Sequence, residues 1–378
     1  MTNTNENNAS QRPGQHAGAG PIRLVAVGDL LMPAGYAPDV DENPADGPFA
    51  PMADVLASGG VVFGNLECTL PGDGRTVETE PRVISEPRLV RMIAAAGFNV
   101  VSLANNHMFD CLQKGFHRLR DLLDELGVAH FGAGDDLTEA AAPAIIETGG
   151  VRVAFLGAAD GRSGTRPIAA ANQWGVAPLD MSRLTGQIRE LSGQVDHVIV
   201  SPHWGEERFS IPSPEQICQA RSLIDAGASM VIGHHPHVIQ GMEFHQGRPI
   251  AYSLGNFAVG EVPYVSGDRI TWNRTERTGC VLTASMTKEL VTDVRQLPTH
   301  DDGGRIVPDD SGFGEARIAK VNAALRIGVT PARYRREHRR VKTYRPVLEH
   351  LRWSRLRKLR WSQIKKALTL LKGSRRAK

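Results

Sequence analysis

Apolar residues change period in a regular way along this chain. From Ile22, short runs rich in Val and Ile alternate with stretches where apolar residues return every three or four positions. The first pattern fits strands and the second amphipathic helices. IRLVAVGD, VVFGNLE, NVVSLANNH, VRVAFLGA, DHVIVSPHWGEE and SMVIGHHPH read as strands. Between them MADVLASGG, EPRLVRMIAAAG, FHRLRDLLDELG, MSRLTGQIREL and SPEQICQARSLIDAGA read as helices. Pro87 and Pro214 stand in first turns, and Gly127 and Gly227 close two of these helices. Later, PIAYSLGNF, GCVLTASMT and VTDVRQL read as strands with short, hairpin-like connections. Asp301 to Ala316 is rich in Gly and reads as a closing loop, with a short helix around Ala319 to Leu325. Strand–helix alternation predicts an α/β protein with mostly parallel pairing, the later hairpins adding antiparallel strands.

Five apolar runs end in polar groups of ligand type. LVAVGD ends in Asp29, VVFGNLE in Asn65 and Glu67, and VVSLANNH in Asn105, Asn106 and His107. HVIVSPH ends in His203, and SMVIGHHPH ends in His234, His235 and His237. Carboxyl ends of strands in α/β sheets converge on one edge, so side chains remote in sequence are expected to meet in one cleft. Imidazole, carboxylate and carboxamide oxygen without thiolate suit one or two divalent ions such as Mn, Fe or Zn. Two such ions can activate water and polarise a phosphoryl oxygen. Glycines before the ligands (Gly28, Gly64, Gly233) are expected to permit the tight strand-to-loop turns that aim them inward.

Each piece also has a structural reading. Asp after a strand often caps a helix, Asn105-Asn106 could form a turn, and His203 beside Trp204 could be a packed core histidine. Only HHPH points to a ligand by itself; together the five strand ends point to a site. His117, His130, His197 and His245 read as structural.

Composition narrows the class. The four cysteines (Cys68, Cys111, Cys218, Cys280) form no CxxC pair and read as reduced, buried thiols. Residues 1–20 are polar and rich in Asn and Gly, and read as a disordered lead without the features of a signal peptide. No apolar run approaches the length of a membrane span, so a cytoplasmic location is expected, with peripheral attachment to the inner membrane face left open.

The six segments VGDLLM, GNLECTL, SLANNHMFD, SPHWGEE, GHHPHVIQ and YSLGNF, in this order, resemble the CapA family of bacterial poly-γ-glutamate capsule biosynthesis proteins. That resemblance implies a metallophosphoesterase-like four-layer α/β/β/α sandwich with mixed sheets over residues 21–300. It makes Asp29, Glu67, Asn106, His203, His235 and His237 the expected metal ligands, with Glu67 bridging. His107 is expected beside the leaving oxygen, as the catalytic group. Asn65, Asn105, His234 and Asn256 are secondary candidates. The chain departs from the superfamily pattern in two places. Leu30 and Leu31 follow Asp29 where Asp-x-His is usual, and the bridging group is Glu instead of Asp. One tight and one loose ion are therefore expected.

Net charge hides a division. Residues 331–378 carry 18 Lys and Arg against 2 Asp and Glu, which leaves 26 against 39 in the rest of the chain. An acidic body thus precedes a strongly basic tail, with 301–330 joining them. From Pro346 the tail reads as a helix in which Trp353, Trp361 and several Leu interleave with cations. This composition fits an anionic membrane surface or another polyanion, with nucleic acid a weaker fit, and capsule synthesis proteins are further candidate partners. Two functions remain open: a metal-dependent hydrolase of a phosphoester or related bond, or a non-catalytic accessory or docking subunit of a membrane-associated polymer synthesis complex.

Overall fold

The structure, a computed structural model, describes residues 20–37 and 47–344. The expected lead and the expected helix from Pro346 lie outside the described residues. Within them, period-two alternation of side chains builds four layers. Along strand Ile22–Leu31, Ile22, Leu24 and Ala26 face one way while Val25 and Val27 face the other. Val25 and Val27 meet helices Pro87–Ala95 and Leu112–Glu125 through Leu89, Ile93, Phe116 and Leu119. Leu24 and Ala26 meet a second sheet through Val153, Phe155, Ile199 and Ile232. That sheet turns Ala154, Leu156, Val198 and Val200 outward against helices Met181–Leu191 and Pro214–Asp225. The order is helix, sheet, sheet, helix, as expected.

Both sheets are mixed. The first runs Ile306–Pro308, Val291–Asp301, Thr278–Met286, Ile22–Leu31, Val61–Leu66, Val100–Ser102, Ala129–Phe131. The pairings from Ile22–Leu31 through Ala129–Phe131 are parallel and the hairpin side is antiparallel. Thr278–Met286 pairs with the first half of Ile22–Leu31, and Asn256–Val259 takes over along its last residues. The second sheet runs Met242–His245, Arg248–Ala251, Met230–Ile232, His197–His203, Val151–Ala159, Ala144–Thr148, parallel except at its two edges. Phe63 lies between the sheets, fully buried against Phe155 and Phe131 at ring separations of 5.2 and 6.0 Å. Burial of such a side chain contributes about 1.5–3 kcal/mol.

Three segments depart from the sequence expectation. PIAYSLGNF is two strands, because the chain leaves the second sheet after Ala251, turns at Gly255 (φ 72°) and enters the first at Asn256. Asp301 to Ala316 is more ordered than a loop: Ile306, fully buried, donates its N–H to Pro48 O in a short strand. The helix that follows spans Phe313–Arg326. The start of the basic tail is helical as well, over Pro331–Arg339, with Thr330 accepting from Arg333 N–H as its cap. Among the described residues no helix is long and apolar enough to cross a membrane.

The glycines before the ligands have a different reason from the expected one. Gly28 and Gly233 are not in left-handed conformations. A Cβ on Gly28 would lie 1.8 Å from Gly255 O, and one on Gly233 would lie 2.2 Å from Tyr252 O. The backbones approach so closely there that only hydrogen fits, and Asp29 comes to lie beside Asn256.

Candidate metal centre

Every strand that carries a predicted ligand ends at the same edge. Asp29, Asn65 and Glu67 are buried there without solvent contact. Asn65 Nδ2 donates to Asp29 Oδ1 at 2.9 Å and to Glu67 Oε2 at 3.1 Å. One carboxamide therefore fixes both carboxylates by one oxygen each, and leaves Asp29 Oδ2 and Glu67 Oε1 turned inward. Asn105 supports the same frame: its Nδ2 donates to Leu66 O at 2.9 Å, and its Oδ1 accepts from His107 N–H at 3.1 Å.

The histidines close the site from the second sheet. His203 and His234 lie side by side across a parallel bridge. His235 and His237 adopt left-handed backbone (φ 95° and 55°), which costs non-glycine residues about 1–3 kcal/mol each and persists only where the surroundings enforce it. Asn256 does part of that enforcing. Its Nδ2 donates to Glu276 O at 2.9 Å, so its Oδ1 faces His237 Nδ1 at 2.9 Å. The Nε2 of His237 then points at Glu67 Oε1, 3.6 Å away. His203 Nε2 lies 3.7 Å from the same oxygen and 2.7 Å from Asn106 Oδ1. His234 plays another part: its Nδ1 sits 3.2 Å from Asp29 Oδ1, and its ring packs edge-on to Phe63.

Two overlapping ligand sets result. Asp29, Glu67 and His237 form one, and Glu67, His203 and His235 the other; within each, the ligand atoms lie within 4.8 Å of one another. The residues fit divalent metal. Glu67 Oε1 is buried without a hydrogen-bond donor, Asp29 Oδ2 has only His237 Nδ1 beside it at 3.2 Å, and every potential ligand atom is imidazole nitrogen or oxygen. Glu67 is the residue common to both sets.

Burial pushes the Asp29 carboxyl up, yet the hydrogen bonds and charges of His234 and His237 prevail and hold it well below the usual carboxylate range. Burial also pushes Glu67 up, and it stays up because Asp29 adds to that push against His237. His237 is held charged by Glu67 and Asp29 in spite of its burial, with a pKa raised to about 10. Burial lowers His235 to about 4 and His203 well below its ordinary value.

His107 stands at the rim of this cluster. Asp110 Oδ2 accepts from His107 Nδ1–H at 2.8 Å and from Val83 N–H at 2.7 Å, which fixes the ring and presents Nε2. Asp110 was not singled out in the sequence, although it stands three residues after His107 in NNHMFD. Glu207 is a second such residue. It is solvent-exposed at the rim, and the desolvation that pushes its carboxyl up is outweighed by the charges of His237, His235, Arg208 and His107, leaving it below the usual range. Trp272 packs edge-on to His237, with ring centroids 5.4 Å apart. The remaining histidines read as structural are so placed: His117 pairs with Asp135, His130 with Asp124, His197 with Ser229 and Thr287 O, and His245 with Asp225. All four cysteines are free, but Cys218 on helix Pro214–Asp225 is exposed and not buried as expected; burial pushes the Cys68 thiol up to about 12, so Cys68 is no nucleophile.

Residues 23–261 match a family described as bacterial capsule synthesis protein PGA_cap, a span that contains every candidate ligand from Asp29 to Asn256. The chain belongs to this capsule synthesis family. The capsule biosynthesis protein CapA of Bacillus anthracis is 32% identical over 253 residues, covering 65% of this chain and 61% of that protein. The PGA biosynthesis protein CapA of Bacillus subtilis (strain 168) is 32% identical over 237 residues, covering 61% of each. This member of the PGA_cap family thus spans under two thirds of those relatives. A solved 5'-nucleotidase from Candida albicans SC5314 overlaps 80% of this chain and 56% of its own, at 10% identity and a TM-score of 0.43. That overlap is too loose to speak about chemistry.

In this PGA_cap chain, a metal ion at the candidate site would compete with a proton for His237. Its pKa of about 10 means that the free site holds a proton on that ring throughout the neutral range, whereas His235 at about 4 holds none. Ligation by His237 must release the proton. Affinity for Mn or Zn at the Asp29–Glu67–His237 position is therefore expected to rise by about tenfold per pH unit between pH 6 and 8. Calorimetry in buffers of different ionisation enthalpy should report at least one proton released per ion. Affinity independent of pH would contradict this charge distribution.

Proposed function

We propose that this chain is a metal-dependent hydrolase of a phosphoester or related bond, working in capsule or poly-γ-glutamate synthesis. The observation that carries the proposal is Glu67, the residue common to both ligand sets, whose Oε1 is buried without a donor between His203 Nε2 and His237 Nε2. Asp29, Glu67 and His237 would hold one ion; Glu67, His203, His235 and Asn106 would hold the other. The second set has two imidazoles and a carboxamide, and is the tighter of the two for Mn, Fe or Zn. Leu31, buried in the core where the superfamily places a histidine, leaves the first set with one imidazole. Ions held there supply Lewis-acid polarisation of a phosphoryl oxygen and activation of water. Asn65 keeps one oxygen of each carboxylate free, and Asn256 fixes the His237 tautomer. His107, oriented by Asp110, delivers a proton to the departing oxygen. The link to capsule synthesis rests on family membership. The basic residues 331–378 hold the protein to an anionic membrane surface or polyanion, a reading supported by their charge alone.

The test is elemental analysis and assay of protein purified without chelator or affinity metal. Near-stoichiometric Mn, Fe or Zn and chelator-sensitive hydrolysis of p-nitrophenyl phosphate or bis(p-nitrophenyl) phosphate are expected, both lost in His235→Ala/His237→Ala. Metal-loaded protein that hydrolyses no phosphoester would favour the accessory reading.

A further inference from the structure

A cavity of about 610 Å³ lies between helix Phe313–Arg326 and the start of the tail; its cations lie outside the segment that matches the family, while Ser210 and Ile211 on its wall lie inside it. Arg317, Lys320, Arg333, Arg336 and Arg340 line it, with Glu337 as the one carboxylate. Two of these cations are accounted for. Arg333 donates to Ala324 O and Gly328 O, capping the C-terminal end of the helix, where a cation also suits the dipole. Arg340 pairs with Glu337.

Arg317 is held differently. Arg317 Nη2 donates to Ser210 Oγ at 2.9 Å, while its Nε is sequestered with no partner among the described residues. No acidic side chain among the described residues forms an ion pair with Arg317, Lys320 or Arg336. Solvation explains Lys320 and Arg336, which are exposed, but not the buried Nε of Arg317. Ser210 ties the cavity wall together: its N–H donates to Glu337 Oε1 at 3.0 Å, and Arg340 Nη2 donates to its Oγ at 3.2 Å. An open cavity lined by five cations and a single carboxylate suits a multivalent anion. A single carboxylate would leave most of that charge unbalanced; a phosphate carries nearly two charges and accepts the guanidinium fork.

We propose that this cavity binds a phosphate group, through Arg317 and Arg336 guanidinium groups and the Lys320 ammonium. The phosphate is free or belongs to an anionic lipid headgroup. The site does not depend on the hydrolase reading, because none of its residues lies among the metal ligands.

Calorimetric titration of the full-length, metal-loaded chain with inorganic phosphate tests it. Saturable binding is expected, weakened at least tenfold in Lys320→Glu/Arg336→Glu, whose changes fall on exposed side chains and spare the fold. Metal content should be unchanged in that variant, and the phosphate binding should survive in His235→Ala/His237→Ala. Competition from phosphatidylglycerol vesicles, with none from phosphatidylcholine, would identify a lipid source; phosphate binding without such competition would identify the free ion. Phosphate affinity unchanged by the charge reversals, lost with the metal ligands, or matched by acetate would overturn the proposal.

Discussion

Glu67→Gln is expected to empty both proposed metal positions at once, whereas His203→Ala should affect only one. The difference follows from the site's construction. Glu67 is the one residue shared by the Asp29–His237 set and the His203–His235 set, and Asn65 holds its Oε2. The amide keeps the volume of the carboxylate but removes the charge that draws both ions. Loss of a supporting residue outside a metal site commonly costs roughly 10–100-fold in affinity, and loss of a direct, shared ligand should exceed that. Metal per chain in Glu67→Gln should fall to background by elemental analysis. The metal-free protein should unfold at the same temperature as the parent or slightly above it, since a fully buried carboxyl is itself costly. Stabilisation by added Mn or Zn should vanish, because an ion that no longer binds the folded state cannot favour it. Full retention of metal would show that Glu67 is not the bridge.

Much of this arrangement can be read in the sequence, for identifiable reasons. Strands buried on both faces leave long Val/Ile runs, so the polar residue ending each run stands out, and Asp29, Glu67, His203 and His237 were visible in that way. Sequence shows where a polar side chain emerges, but not which way it turns. Asn65, Asn105 and Asn256 therefore read as further candidates of the same kind as the ligands. The structure gives each a hydrogen-bonding task instead: aiming carboxylates, fixing the His107 loop, and setting a tautomer. His234, adjacent to His235 in sequence, supports Asp29 while His235 joins a ligand set. The close approach behind Gly28 depends on Gly255, more than two hundred residues away, and no local pattern carries that information. Asp110 and Glu207 were hidden for a different reason. They lie past the strand ends, in HMFD and WGEE, where acidic residues ordinarily face solvent. The Gly-rich run after Asp301 looked unstructured because its three-residue strand, Ile306–Pro308, is too short to leave a pattern and is ordered by pairing with Val291–Asp301, by burial of Ile306 and by a partner at Pro48.

His107→Gln should lower kcat by about 10²–10⁴-fold while the metal stays in place. His107 belongs to neither ligand set, so elemental analysis should find the parent's content. What the change would remove is the proposed proton donor, a ring whose position is fixed by Asp110 at 2.8 Å. The loss should depend on the leaving group. An aryl phosphoester such as p-nitrophenyl phosphate expels a weakly basic oxygen that needs little help, so its rate should fall least. An alkyl ester expels a strongly basic oxygen and should lose the full factor. Asp110→Asn should reproduce part of the loss with the same dependence, because the amide still reaches His107 Nδ1 but no longer stabilises a ring that is protonated. A uniform loss across leaving groups would make His107 a binding residue and nothing more. No loss in either variant, with polymer production intact, would move the function from the metal centre to the accessory role, leaving the basic tail as the part to test by deletion.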